Sequence, residues 1–375
     1  MDRFHLPGRM DRYLKKINFV RGLVNGKTAK TGPFYVTFDI TGRCNLQCIG
    51  CPYHSPLKSD SPPPVDFPFD AFERLCQELR DLGTHALVLQ GSGEPFLHPD
   101  LFRMIETAKT KGFEVVLLTN GTFLNADRCK RLVSSGLDTL KVSLWATSPT
   151  EFKLNYPGIS GSMLSRIVDG LQTISDIKKV QQSPLPETIL YFVVNRYNCQ
   201  RIDSAVDLAV SSCCNGIDFS IMHDASNEVA ALMLDENETR CLCRDLTRIE
   251  KRLDAVGLTH NIGDFRFRCQ VGEPVLSSIP CYIAWYHVRV GLDGRIFPCI
   301  RCAPQIEFGN THIRSFQKIW NGQPIQDFRR LTLDRKVSVI AEKCDCRYCC
   351  FICDNMRVHK GFRLIRPFIP KVLTC

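Results

Sequence analysis

The sequence predicts an α/β fold of parallel βαβ units followed by a cysteine-rich extension. Three observations predict it. Strand-like and helix-like segments alternate through six strands between residues 32 and 235, the pattern of parallel strands joined by crossover helices. The first strand-like segment, 34–40 (FYVTFDI), runs directly into a loop holding Cys44, Cys48 and Cys51, and α/β barrels place their chemistry at such strand exits. From Cys281 onward the rhythm gives way to a hairpin signal and a dense run of cysteines.

The elements follow in order. Residues 11–25 put Tyr13, Leu14, Ile17, Val20 and Val24 on one helical stripe with basic residues opposite. Segment 34–40 is β-branched and aromatic, as a buried strand requires. Helix 69–82 leads to strand 86–90, helix 101–111 to strand 114–119, and helix 126–135 to strand 139–144. Helix 163–180 leads to strand 188–195 and helix 201–212 to strand 216–222, before a long helix over 236–256. Residues 55–68 hold five prolines and predict an extended loop beside the cysteines. The fourth strand exits through 145–149 (WATSP) into an expected polar loop as far as Ser162. Beyond Cys281, segments 285–291 and 295–300 flank Leu292-Asp293-Gly294 as a hairpin, and 313–331 predicts one helix containing Ile319-Trp320-Asn321-Gly322. The expected divisions are a basic amphipathic segment (1–31), the strand–helix body (32–235), a connecting helix and linker (236–280), a cysteine-rich domain (281–355) and a basic apolar tail (356–375).

The 375 residues suffice for two domains or one large domain with an extension, and 44% apolar with 23% charged residues is ordinary for a globular chain. No apolar run approaches the roughly 18 residues of a membrane span, and the first 16 residues lack a signal peptide's apolar core. Twenty cysteines in such a chain argue for metal-bound thiolates in a reducing cytoplasm, not a secreted disulfide scaffold. The net charge of +9 is uneven: residues 1–30 hold eight Lys/Arg against two acids, and 355–375 hold five against none. Those ends, with the apolar residues of 361–375, raise the expectation of peripheral contact with anionic lipid at the inner membrane face. Packing of both ends on the body, charges in water, is the preferred alternative. Nucleic-acid binding is not expected, because the basic residues lack interleaved stacking aromatics in a recognised module.

The cysteine loop has the spacing Cys44-x3-Cys48-x2-Cys51. Three thiolates on one short loop suit three irons of a cubane that normally takes four, leaving one iron open to a small molecule. Structural zinc usually pairs C-x2-4-C with a second pair of ligands. His54 offers a fourth ligand, so the loop alone leaves zinc open. Behind its strand, this loop resembles that of the radical S-adenosylmethionine (SAM) superfamily, whose open iron is chelated by the amino and carboxylate groups of SAM. The resemblance covers about residues 32–235 and implies a partial (βα)6 TIM-like barrel.

Further segments carry the same resemblance. Gly91-Ser92-Gly93-Glu94-Pro95 resembles the family's GGEP segment, with Ser92 in place of its first glycine. It implies contacts of Gly93 and Glu94 with the SAM amino group. Asn120, Ser143 and Asn195 lie at the third, fourth and fifth strand ends. There the resemblance implies further cofactor contacts: ribose and carboxylate at Ser143, adenine near Asn195. Taken singly, each reads equally well as a turn or cap residue. No catalytic side chain stands out.

Downstream, Cys281, Gly294 and Cys299 fit the C-x9-15-G-x4-C opening of SPASM and twitch domains. That resemblance implies at least one auxiliary [4Fe–4S] cluster. Cys346 and Cys349 are the expected closing ligands, with Cys350 and Cys353 close behind; Cys302 and Cys375 are spare. The run departs from the family's C-x2-C-x5-C-x3-C, and C-x2-C pairs alone also suit a zinc knuckle. The remaining cysteines read as small buried hydrophobes.

Together these resemblances imply an oxidoreductase-type enzyme. It would reductively cleave SAM to a 5′-deoxyadenosyl radical and abstract hydrogen from a C–H bond of a small molecule, sugar-like compound or peptide. Flavodoxin or ferredoxin would be the low-potential electron donor. The auxiliary cluster could take an electron, giving oxidation or cross-linking, whereas epimerisation needs a thiol donor. The 43 residues before Cys44 are too few for a cobalamin domain or a fused peptide-recognition domain. A peptide-modifying maturase with a separate recognition partner and a non-catalytic iron–sulfur scaffold or electron carrier are the alternatives.

Overall fold

The computed structural model describes residues 9–58, 61–222, 229–270, 279–333, 344, 346 and 349–365. Residues 1–8 and 366–375, the second half of the basic tail with Cys375, lie outside the described residues.

Six parallel strands pair in chain order: β1 (Tyr35–Asp39), β2 (Ala86–Gln90), β3 (Glu114–Thr119), β4 (Thr139–Ser143), β5 (Glu187–Val194) and β6 (Gly216–Ile221). The helices between them are α2 (Phe69–Asp81), α3 (Leu101–Thr110), α4 (Ala126–Ser134), α5 (Pro149–Asn155), α6 (Met163–Gln181) and α7 (Ile202–Ser211). The sheet does not close on itself. β7 (Thr259–His260) adds to β6, while β8 (His287–Val290) adds parallel to β1 and continues antiparallel into β9 (Arg295–Phe297) and β10 (Gly309–Asn310). The result is a partial barrel whose own sheet carries the C-terminal extension.

Strand alternation explains the two faces. Val36, Phe38, Leu87, Leu89, Val115, Leu117, Leu140, Val142, Leu190, Phe192, Ile217 and Phe219 are buried in the main core. On α2, Phe72, Leu75, Cys76 and Leu79 supply one buried helical stripe. Each large apolar side chain buried this way contributes about 1.5–3 kcal/mol. The alternate strand positions, Thr37, Gln90, Thr139, Lys141, Tyr191 and Asp218 among them, line an interior cavity, as the two-residue period of a strand requires.

Several expectations are corrected. The polar loop expected after the fourth strand holds α5: Ser148 accepts the Glu151 N–H at its start and Pro149 fills the first turn. The single helix expected over 313–331 is two, Phe316–Trp320 and Gln323–Leu333. They break at Asn321, whose side chain exchanges hydrogen bonds with the backbone of Ala29 and accepts one from the buried Arg329. Trp285 and Tyr286 lie in a helical turn, Ile283–Tyr286, so the hairpin strands are shorter than expected. The linker after α8 (Glu236–Val256) holds α9 (Ile262–Gln270) as well as β7. The stripe expected on α1 (Arg9–Asn25) is not the face that docks, and its Val20 and Val24 are only half-buried. Leu23 is buried and Phe19 packs on Phe34, but Leu14 and Ile17 are exposed, because the helix docks through its C-terminal half. Residues 352–365, expected partly as tail, form the helix Ile352–Ile365.

Candidate active site

The first cysteine loop is clamped on three sides. Gly93 N–H donates to the Thr41 carbonyl at 3.0 Å and Glu94 N–H to the Arg43 carbonyl at 2.7 Å, knitting the loop to the exit of β2. A Cβ on Gly93 would stand 2.0 Å from the Arg43 oxygen, so only glycine permits this approach. Arg43 donates to Asp66 and to the Leu97 carbonyl, drawing in the proline-rich loop. From the far side, Ile49 N–H donates to the Asn155 carbonyl at 2.9 Å, a brace provided by α5.

Cys44, Cys48 and Cys51 come together on this loop. Burial pushes the Cys44 thiol up to about 11 and Cys48 well above its ordinary value, and repulsion from Cys51 and Glu94 adds to both. The Tyr53 and His54 N–H groups lie 3.4 and 3.3 Å from Cys51 Sγ, and the backbone at Leu46 and Asn45 favours the Cys44 thiolate. Buried thiols with backbone donors aimed at their sulfurs suit an iron–sulfur cluster, whose metal supplies the charge that ionises them. Among the described residues no three Cys, His, Asp or Glu side chains close on one point as around a single ion; cubane ligands sit on separate irons. His54 lies against the backbone of Gly42 and Ser92.

The other predicted residues divide. The Glu94 carboxylate accepts from Thr119 Oγ1 at 2.6 Å, from the Asn120 N–H at 2.7 Å and from the Phe96 N–H at 3.1 Å. It ties the exit of β2 to that of β3. Asn120 donates to Asn45 Oδ1 at 2.9 Å, within the cysteine loop. Ser143 Oγ accepts from the Trp145 indole at 2.9 Å. Asn195 is fully buried, donating to Asn155 Oδ1 at 2.7 Å and accepting from the Tyr197 N–H. Its place is behind α5, bracing the element that braces the loop.

The second group forms from distant segments. Cys281, Cys299, Cys349 and Cys350 lie close enough to disfavour one another's ionisation, with burial the larger cause. Cys350, the chain neighbour of Cys349, belongs to the same group. Cys353 instead turns toward α9, donating to the Asp264 carbonyl at 3.6 Å. Cys302, expected to be spare, is joined to Cys344 as a disulfide, and its sulfur lies 3.8 Å from Cys299 Sγ. The Cys346 N–H donates to the Cys344 carbonyl at 2.8 Å.

Between the two groups stands a buried set that sequence reasoning missed. Arg289 on β8 donates to Asp39 Oδ2 at 2.6 Å and to the Tyr53 hydroxyl at 2.5 Å. Below it the interior cavity, about 630 Å³, runs from Gln90 and Thr37 past Lys141 and Asp218, paired at 2.9 Å, to Arg268, Cys350 and Cys353. The missed signal was polar residues at inward positions of otherwise apolar strands, Lys141 in TLKVS and Asp218 in GIDFSI. The cavity's size suits a small molecule.

Comparison with known proteins adds a second line of evidence. The Radical SAM superfamily model matches residues 38–208, and the SPASM iron–sulfur cluster-binding domain matches residues 281–352. An AdoMet-dependent heme synthase of Methanosarcina barkeri is 28% identical over 177 residues, 47% of either chain, so the match spans about half of that relative. A probable GTP 3′,8-cyclase of Saccharolobus solfataricus is 25% identical over 271 residues, 70% of this chain and 80% of that protein. Streptococcus suis SuiB bound to its precursor peptide SuiA has a similar fold, with TM-score 0.64 and 14% identity over 87% of this chain and 73% of that one. So does anSMEcpe with bound AdoMet and a Cp18Cys peptide, at TM-score 0.62 and 15% identity over 89% and 98%.

Proposed function

This chain belongs to the radical SAM superfamily and carries a C-terminal SPASM iron–sulfur domain, and from that premise we propose that it oxidises a small molecule held in the barrel cavity. The carrying observation is that cavity, which is lined by both charged and apolar side chains, is of small-molecule size and shares its lining with Cys350 and Cys353. A [4Fe–4S] cluster held by this loop with SAM bound would supply a 5′-deoxyadenosyl radical able to abstract hydrogen from an unreactive C–H bond.

The chain's own residues bind and orient. Cys44, Cys48 and Cys51 are the proposed cluster ligands, and Gly93 lets the β2 exit lie against their loop. Glu94 and Asn120 hold the β3 exit in register with the loop through the bonds to Thr119 and Asn45. Ser143 remains at the β4 exit as a polar contact candidate. We assign Cys281, Cys299, Cys349 and Cys350 to the auxiliary cluster. Lys141 and Asp218 present opposite charges to whatever enters the cavity. A radical formed there must be shielded from water, which would quench it.

A peptide substrate is the second reading. It is favoured by the likeness in fold to SuiB, solved with a precursor peptide, and would send a single side chain into the cavity. A cytoplasmic setting with a flavodoxin- or ferredoxin-class donor completes the proposal; no described helix is long and apolar enough to cross a membrane. Anaerobically reconstituted protein given dithionite and SAM is expected to release 5′-deoxyadenosine. A full complement of iron with no 5′-deoxyadenosine would leave the scaffold or electron-carrier reading in its place.

A further inference from the structure

We propose that α1 and the C-terminal end of the helix Ile352–Ile365 form a docking face for a bilayer that carries anionic lipid. The proposal is independent of the reaction and of the auxiliary cluster.

Its basis is an apolar stripe that faces outward. On α1 the side chains that pack inward are Phe19, against Phe34, and Leu23. Gly22 lies against Trp285, where an added Cβ would stand 3.4 Å from the indole. Lys15 anchors the same side by donating to the Gly83 carbonyl at 3.2 Å. With about 3.6 residues per turn, Leu14, Ile17 and Arg21 fall on the far side. Leu14 is 55% exposed and Ile17 41%, Lys16 and Arg21 are exposed, and Val20 and Val24 beside them are half-buried. The apolar stripe of a surface helix ordinarily turns toward the core; here the core takes the other face.

The second terminus reaches the same end of the barrel. α1 rests on Gly83, just before β2, and on Trp285, just before β8. The helix Ile352–Ile365 meets the same helical turn: the Tyr282 hydroxyl lies 2.8 Å from His359 Nδ1, and the Tyr286 hydroxyl donates to Asn355 Oδ1. Its Asp354 and Arg357 line the cavity together with Tyr35, Glu114 and Glu187, the first residues of β1, β3 and β5. Both helices therefore lie at the N-terminal ends of the parallel strands, opposite the exit that carries the first cysteine loop. On the last turns Lys360 and Arg363 are exposed, and Leu364 is 73% exposed.

Charge selects the occupant. Residues 1–30 and 355–375 together carry more positive charge than the chain's whole net +9. Exposed apolar side chains interleaved with Lys and Arg suit the headgroup region of an anionic bilayer, where apolar burial and cation attraction act together. A second copy docked by a two-fold axis would set this basic face against itself. Residues 366–375 hold Arg366 and Lys371 and no acid, so the chain's own tail would not neutralise it either. Docked on a bilayer, the protein turns the cavity end lined by Glu114, Glu187 and Arg357 toward the lipid and the first cysteine loop away from it.

The test is co-sedimentation of anaerobic full-length protein with mixed phosphatidylcholine–phosphatidylglycerol vesicles, pure phosphatidylcholine vesicles serving as control. Binding to the mixed vesicles alone, weakened by added salt, is expected. Leu14→Ser/Ile17→Ser is expected to bind at least about tenfold more weakly, with melting temperature and oligomeric state unchanged in the absence of vesicles. Lys16→Glu/Arg21→Glu is expected to lose binding as well. No wild-type binding at low salt overturns the proposal. So does equal binding to both kinds of vesicle, or wild-type binding by either variant. A melting temperature lowered by Leu14→Ser/Ile17→Ser in a monomer would show that the chain's own residues cover the stripe. An oligomer that this variant dissociates would show a second copy there. Either result overturns the bilayer as occupant.

Discussion

Arg289 Nε lies 2.6 Å from Asp39 Oδ2, and both side chains are buried. Asp39 is the last residue of β1 and Arg289 stands on β8, 250 positions later. The pair bolts the C-terminal extension to the strand whose exit carries Cys44, and the Tyr53 hydroxyl adds a third member from the cysteine loop. Burial by itself pushes the Asp39 carboxyl up, and the guanidinium opposes that shift.

Arg289→Met strands a buried carboxylate and should destabilise the protein by about 3–5 kcal/mol. Adding Asp39→Asn should recover a large part of that loss. Urea unfolding under anaerobic conditions measures both. A single variant within about 1 kcal/mol of wild type would show that the pair does not hold the extension.

His287 makes stability pH-dependent. Burial is the main cause that lowers it to about 3, with Thr37 Oγ1 and the Pro298 carbonyl each 3.0 Å from its ring nitrogens. We assign the proton to Nδ1, donating to Pro298, because a carbonyl only accepts. As pH falls from about 6.5 to about 3, the unfolded chain takes a proton that the folded one refuses. Stability should drop across that window by about 1.4 kcal/mol per pH unit. Melting temperatures from pH 7 to 5 should fall more steeply for wild type than for His287→Gln; parallel slopes would rule the assignment out.

Gly93→Ala forces a Cβ onto the Arg43 carbonyl. The loop must shift, and 5′-deoxyadenosine formation should fall by roughly a hundredfold. Gly361→Ala, where an added Cβ meets nothing within 4 Å, is the control. Equal activity in the two variants would mean the close approach is dispensable.

Asn195→Ala removes the donor to Asn155 and the acceptor for the Tyr197 N–H. It should destabilise the protein by about 1–3 kcal/mol. SAM affinity, measured by anaerobic equilibrium dialysis on the folded fraction, should stay within about threefold of wild type. Lost affinity at full stability would instead support the expected contact of Asn195 near the adenine.

Much of the barrel was legible because its signals are local. The period-2 run TLKVS or the stripe Phe72, Leu75, Cys76 and Leu79 needs no distant partner to be recognised. The helix α5 had a local signal too, Ser148-Pro149-x-Glu151, but a short capped helix between polar residues resembles a loop. The break at Asn321 was hidden for a different reason: the backbone it bonds, at Ala29, lies 292 residues away.

The sequence by itself determined the alternation of strands and helices, the cysteine loop after the first strand and the glycine that lets the second strand's exit approach it. Those follow from spacing and residue type within a few turns of chain. Only the tertiary structure decided that β8 would pair with β1, that Arg289 would meet Asp39, and that Cys302 would be joined to Cys344. Such contacts join segments far apart in the chain. They are chosen by which buried charges and apolar faces find partners when the whole chain packs, and no local pattern records that choice.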